Sequence, residues 1–351
     1  MTYLLYSLHS GNLYGTERMA LATSIGLRDE YETVFIAPEG PVHAEAQRLG
    51  FRTMRFVTPR KFLADIRPFF RGKNKVVSIG TRVLHTLGAE LWARVYGSKH
   101  ANIQVVHGGA DERLSYARKR WLNRLGVKQV AVSYFVKERM IAYGADVRSI
   151  TVVENFLTPE RVDNAPRRQA FTAPGIRKVV VVSRLDPIKK IDLLLDALDA
   201  TPELRSIEFE IYGSGSEEET LKARALGNNP NVHFMGYCPD IPERMSKADL
   251  LLHLCPEEPF GLAILEGMAA GIVALVPDSG GAGAIIEDGK NGFHFHANDA
   301  ADLARKLVSI QQAPTSQLQA IVAGGIESLR TRYSAKYGVS EYRKLIHSCL
   351  D

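Results

Sequence analysis

Cysteine is nearly absent from this chain. Its three residues, Cys238, Cys255 and Cys349, are scattered and form no CxxC pair, which argues against a disulfide framework or a structural zinc site and points to a reducing compartment. A run of about 18 apolar residues, the length a spanning helix needs, is also missing. The opening stretch Met1–Leu8 is apolar, but it has no positive leader and no small-residue cleavage site, so it reads as a first strand rather than a signal peptide. Neither sign of charge dominates: 44 Lys and Arg stand against 39 Asp and Glu, a net +5. With 45% hydrophobic and 24% charged residues and a mean hydropathy of −0.10, collagen-like, disordered and integral-membrane classes are excluded. The expectation is a cytoplasmic protein, with peripheral attachment to a membrane left open.

At 351 residues the chain is long enough for two domains of about 150 residues each. Charge divides them: residues 1–165 hold 24 Lys and Arg against 15 Asp and Glu, whereas residues 166–351 hold 20 against 24. Short β-branched runs alternate with amphipathic stretches, the pattern of strand, helix, strand units on parallel sheets. Strands are expected near Tyr3–Leu8, Thr33–Ala37, Arg52–Val57, Lys75–Ile79, Ile103–His107, Gln129–Ser133 and Ile150–Glu154. A second set falls near Lys178–Ser183, Glu208–Tyr212, Val232–Gly236, Leu250–Leu254, Ile272–Val276 and Gly292–His296. Between them Thr158–Pro174, with three prolines and many polar residues, reads as a linker. The tail from about Tyr333 to Asp351 is one amphipathic segment in which Tyr337, Tyr342, Leu345 and Ile346 could share an apolar face. It buries little alone, so it must dock, the cleft between the domains being one candidate.

Several segments suit anionic ligands. The first strand runs into a turn containing Gly11 and Gly15 ahead of a helical pattern, and such a helix start presents unpaired N–H groups; a plain crossover needs the same turn. Arg184 and Lys189 follow the strand Lys178–Ser183, at the end of the strand where doubly wound sheets bind ligands. Two cations there suit a pyrophosphate, although for an isolated pair two solvated loop cations are the better reading. Glu258 and Glu266 flank a stretch in which Pro259 suits a first helical turn, with the helix running toward Ala270. If the stretch were helical throughout, the two carboxylates would lie roughly 12 Å apart, near the distance from sugar to ribose in a nucleotide sugar. The N–H groups of Phe260, Gly261 and Leu262 would lie between them. No DxD-type carboxylate pair stands nearby, only Asp186 and Asp278 apart from each other.

Together these motifs resemble the family 4 glycosyltransferases of the GT-B fold. Glu258-Pro-Phe-Gly-Leu and Glu266-Gly-Met-Ala-Ala-Gly271 look like that family's E-x7-E signature, and Arg184 with Lys189 matches its R-x4-K diphosphate clamp. The Gly15-Thr-Glu-Arg18 turn and the glycine-rich Ser279–Gly292 segment are similar to its other loops. The resemblance implies an α/β architecture of two doubly wound Rossmann-like domains facing across a cleft. The acceptor domain would take residues 1–165 with a C-terminal helix of about 333–351, crossing back to it, and the donor domain residues 166–332. It implies a retaining, metal-independent hexosyl transfer from a nucleotide diphosphate sugar to an acceptor hydroxyl. Glu258 would bind donor hydroxyls near the reaction centre, Glu266 would hold the ribose, and Arg184 and Lys189 would steady the leaving diphosphate. His107 matches a first-domain histidine facing the donor sugar, and Val232–Tyr237 resembles the base-binding strand and loop, with Tyr237 at its end. No cofactor or metal is implied beyond the co-substrate. UDP-glucose or UDP-N-acetylglucosamine leads GDP-mannose, and a cell-surface glycan or lipid-linked precursor is the expected acceptor. Lys190 stands where the family often has glycine, Ala284 where it has glutamate, and Asn155-Phe156 where asparagine-glycine is common.

Competing readings remain at this stage. A nucleotide-sugar epimerase or a phosphorylase could use the same architecture. The basic first half could bind nucleic acid, but no recognition motif accompanies its cations. Arg113, Arg118, Lys119, Arg120 and Arg124, interleaved with Leu114, Trp121 and Leu125, could instead meet anionic lipid or form a wet face over a core-facing stripe.

Overall fold

The computed structural model describes residues 2–72, 74–109 and 115–350. The chain forms two compact units, one of residues 1–156 with 335–351, the other of residues 157–334. Both are doubly wound α/β domains, as expected.

In the first unit, seven parallel strands are ordered β3-β2-β1-β4-β5-β6-β7. They are β1 (Thr2–Ser7), β2 (Glu32–Ala37), β3 (Arg52–Arg55), β4 (Lys75–Gly80), β5 (His100–Val106), β6 (Lys128–Ala131) and β7 (Ile150–Val152). The second unit has six, ordered β10-β9-β8-β11-β12-β13. These are β8 (Lys178–Val182), β9 (Glu208–Tyr212), β10 (Val232–Gly236), β11 (Leu250–Leu252), β12 (Val273–Pro277) and β13 (Phe293–Phe295). Strands covered on both faces read as unbroken apolar runs, and Val179–Val181 and Leu250–Leu252 do so, all but fully buried. Around them Phe209, Ile211, Leu194 and Leu303 complete the core of the second unit. Leu5, Ile36, Phe62 and Val76 do so in the first.

In each unit the strand order reverses once, between β1 and β4 and between β8 and β11. At such a switch point the loops leaving the two strands diverge to opposite faces and open a crevice. In the second unit those loops carry Arg184 and Lys189 from β8 and Glu258 from β11.

Several sequence expectations change. The strand at Arg52 ends at Arg55, and Val57 beyond it is exposed. Thr158–Pro174 is not a free linker. Arg161 pairs with Glu266, and the Arg168 guanidinium donates to Asp249 at 2.9 Å while covering the Phe171 ring. Asp249 also accepts from the amides of Arg177 and Lys178 at 2.7 and 2.9 Å. These ties place the segment in the second unit, so the boundary falls at 156/157 instead of 165/166.

The C-terminal helix Ala335–Leu350 packs on helix Gly15–Leu27 and on β5. It buries Val339, Tyr342, Leu345 and Ile346, but Tyr337 points outward and is half exposed. Gly26 makes the close approach possible: a Cβ there would lie 2.3 Å from a Val339 methyl. The Arg343 guanidinium closes the contact on Glu30 at 2.6 Å.

Among the described residues no helix is long and apolar enough to cross a membrane. Arg113 and Leu114 lie outside the described residues. From Ala117 to Leu125 the chain is a 3-10 turn, not a regular helix, with Leu122 buried and Trp121 exposed between Arg120 and Arg124. Lys119 is buried as well and leaves the basic face, its pKa pushed down to about 8 by burial.

Candidate active site

The loop after β8 begins at Ser183, whose amide bonds Tyr212 in β9, and it rests on the Gly213–Gly215 turn. The fit leaves no room for a side chain at either glycine, since a Cβ on Gly213 would fall 1.8 Å from the Ser183 carbonyl oxygen and one on Gly215 2.4 Å from that of Leu185. The loop then makes a 3-10 turn over Pro187–Lys189 and enters helix Ile191–Ala200 through Lys190 at φ 56°. That left-handed position is one glycine occupies without cost, which accounts for the glycine common at the matching family position. Arg184 pairs with Asp186 at 2.5 Å and stays largely exposed.

The loop after β11 runs from His253 to Gly261. Pro259 does not open the helix. Gly261, at φ 105°, redirects the chain, and the helix spans Leu262–Ala269. Glu258 therefore sits in the loop, and a helical spacing to Glu266 does not apply. A second helix start clamps this loop, with the Gly281 amide donating to the Glu258 carbonyl at 2.7 Å and Ser279 Oγ to the Pro256 carbonyl at 2.9 Å.

Switch-point topology brings Lys189 and Glu258 together across 69 residues of sequence. Lys189 Nζ donates to Glu258 Oε2 at 2.6 Å, and the two side chains are 16% and 17% exposed. Burial opposes both charges, yet each stabilises the other. Glu258 is held below the ordinary glutamate range by Lys189 and then His253, and Lys189 above the ordinary lysine value by Glu258. His253 lies behind them, its Nε2 at 3.5 Å from Glu258 Oε2. Burial pushes this imidazole down to about 4, against the pull of Glu258.

Glu266 has a separate cation, Arg161 from helix Pro159–Asp163. Both border a cavity of about 150 Å³ that also touches Asn164, Pro166, Pro242 and Ala270. Phe260 is buried against Tyr333, so only its backbone is available, and Leu262 is the first residue of its helix. Tyr237, beyond β10, is 77% exposed. No group of three or more His, Cys, Asp and Glu side chains among the described residues is arranged to hold a metal ion.

Gly15 and His107 belong to the first unit. Gly15 opens its helix, but the protein's own Glu17 carboxylate already takes the Tyr14 amide there at 3.2 Å and the Ser10 hydroxyl at 2.9 Å. His107 leaves the end of β5 with Nε2 buried, and burial, aided by His9 and Lys119, pushes its pKa to about 3. Sequence reasoning missed His253, Arg161 and the Gly213–Gly215 turn. Only the turn left a signal, two glycines straight after a strand.

Residues 165–324 match the family model described as Glycosyl transferases group 1. In that segment the chain is similar to the group 1 glycosyl transferases. Arg184, Lys189, Tyr237, Glu258 and Glu266 lie within that segment, while Gly15 and His107 lie outside it. The chain is 28% identical over 210 residues to the phosphatidyl-myo-inositol mannosyltransferase of Mycobacterium leprae, covering 58% of this chain and 54% of that protein. It is 23% identical over 252 residues to the N-acetyl-alpha-D-glucosaminyl L-malate synthase of Bacillus anthracis, covering 67% of this chain and 65% of that one. The chain spans about half the length of the curated relatives it matches. The crystal structure of Anabaena Alr3699/HepE in complex with UDP and glucose has the same fold, with a TM-score of 0.80 at 18% identity over 99% of this chain and 100% of that one. The segment that matches the family model thus holds the β8/β11 crevice, and the likeness of fold extends over the whole chain.

Proposed function

We propose that this protein is a retaining, metal-independent glycosyltransferase of family 4 that moves a hexose from a UDP-linked sugar to an acceptor hydroxyl. The observation that carries the reading is the Lys189–Glu258 pair at the β8/β11 switch point, inside the segment that matches the group 1 glycosyl transferase model and with Arg184 on the Lys189 loop. A carboxylate bonded to one cation is positioned to accept sugar hydroxyls. Lys189, with three donors, can serve both that carboxylate and a phosphate oxygen. In the reaction the bond from the anomeric carbon to the diphosphate oxygen breaks as the acceptor oxygen bonds the same face, and the acceptor proton passes to a phosphate oxygen. The products are a glycoside and a nucleoside diphosphate. Arg184, Lys189 and the N–H groups of Phe260, Gly261 and Leu262 would stabilise charge growing on the leaving group, the task a divalent cation performs in other designs. Glu266 would hold the ribose, and Tyr237 would border the nucleobase. The likeness to a phosphatidyl-myo-inositol mannosyltransferase and to an N-acetyl-alpha-D-glucosaminyl L-malate synthase supports a role in making bacterial surface glycans, glycolipids or a small glycoside, which we place in the cytoplasm.

The test is a thermal-shift panel of UDP-glucose, UDP-N-acetylglucosamine and GDP-mannose, followed by anomer analysis of the transferred sugar in EDTA. A ligand that binds only the native state raises the melting temperature. Stabilisation by a UDP-sugar and a product of unchanged anomeric configuration are expected. Full activity in both Glu258→Ala and Lys189→Ala would sink the assignment.

A further inference from the structure

We propose that His253 is a positioning residue that takes hold of the Glu258 carboxylate when a diphosphate draws Lys189 away. The inference rests on the function proposed above, in which Lys189 serves the diphosphate. Nothing in the E-x7-E or R-x4-K pattern involves position 253; the assignment comes from where its imidazole stands.

Three observations carry it. First, Glu258 Oε2 is the oxygen that Lys189 holds at 2.6 Å and also the one facing His253 Nε2 at 3.5 Å. Second, that nitrogen is buried and has no hydrogen-bond partner among the described residues. Buried ring nitrogens are ordinarily paired, so this one is a donor held in reserve. Third, the backbone behind it is fixed, because the His253 amide bonds the Leu275 carbonyl at 2.9 Å and both neighbours, Leu252 and Leu254, are buried.

The tautomer follows from electrostatics. A lone pair on Nε2 would repel the carboxylate oxygen, so the form with the proton on Nε2 faces Glu258. At 3.5 Å this falls short of a well-formed N–H···O bond, and an approach of about 0.5 Å makes one. A bound diphosphate adds negative charge beside Lys189 and competes for its ammonium. Glu258, shielded from water, then needs another donor, and His253 is the one in reach. Burial keeps the imidazole neutral, its pKa pushed down to about 4, so it donates without adding a cation to compete for the phosphates.

The experiment uses the full chain and inorganic pyrophosphate, which needs no turnover and so tests the transfer of this contact apart from the proposed reaction. His253→Leu suits a strand end flanked by leucines, and His253→Gln returns a donor at about the same reach; melting temperatures check that both fold. Pyrophosphate is expected to bind His253→Leu about tenfold more weakly than wild type and His253→Gln within about threefold of it. In 15N spectra of imidazole-labelled wild type, the resonance missing from both variants should keep its Nε2 proton and shift downfield as pyrophosphate is added. Equal affinity in wild type and His253→Leu, equal weakness in the two variants, no binding to wild type, or an unmoved resonance would each overturn the proposal. A shift without hexose transfer would leave it standing and count against the reaction alone.

Discussion

Replacing Lys189 with methionine removes one charge and little volume, leaving Glu258 charged and mostly shielded from water. Breaking a fully buried pair costs about 3–5 kcal/mol, chiefly through the charge left behind. Here each side chain keeps about one-sixth of its exposure, so water recovers part of that loss, and we expect about 2–3 kcal/mol. For a unit the size of residues 157–334, this lowers the melting temperature by about 4–12 °C. The assay is urea unfolding at pH 7.5 of wild type, Lys189→Met, Glu258→Gln and the double variant. The double variant should recover much of the loss, because its last buried charge is gone. Acidity supplies a second check. Glu258 has its pKa lowered on folding, so its contribution is complete above the unfolded value of about 4.3 and fades as pH falls through the lower folded one. Lys189 has its pKa raised, so its share is complete below about 10.4 and fades as pH rises through the folded value. In Lys189→Met burial, no longer opposed by Lys189, raises the pKa of the stranded carboxyl, so the gap should be level near neutral and mildly alkaline pH and should narrow as pH falls toward about 4.3 and that carboxyl protonates. A loss under about 0.5 kcal/mol, the noise of a surface change, with no recovery in the double variant would refute the reasoning.

Other outcomes follow from the same geometry. Asp249→Ala removes the acceptor shared by Arg168, Arg177 and Lys178 and should cost about 2–4 kcal/mol in urea unfolding. Gly281→Ala would place a Cβ 2.2 Å from the Pro259 carbonyl oxygen. The loop bearing Glu258 must shift, and under the function proposed above hexose transfer should fall by about a hundredfold in initial-rate assays. His85 and His107 are pushed to about 3 and His253 to about 4, all by burial. Their unfolded counterparts take protons first, so stability should drop below about pH 6.5 by roughly 1.4 kcal/mol per pH unit for each histidine, measured by unfolding at pH 7, 6 and 5.

Elements were legible in the sequence where one local pattern decided them. Lys178–Val182 and Leu250–Leu252 announce strands because burial on both faces demands unbroken apolar runs. Pro259 misled because proline favours a helix start, whereas Gly261 two residues later holds a backbone angle that resets the chain. Thr158–Pro174 resembled a linker because its polar residues find partners far away in sequence, Arg161 at Glu266 and Arg168 at Asp249. In the tail an apolar face was evident but its rotation was not: Val339 is buried against Gly26 while Tyr337 turns to solvent. The site divides in the same way. Lys189 and Glu258 were visible as motifs, but their contact is a product of strand order. His253 looked like one more residue of a strand.

The docking of Ala335–Leu350 on Gly15–Leu27 also orders events during synthesis. The first unit lacks a wall of its core until residues made after the whole second unit have emerged. At about 5–20 residues per second, residues 157–334 take roughly 10–35 s to make. The unit of residues 157–334 can therefore complete its fold first, while the surface around Gly26 waits uncovered for Ala335–Leu350.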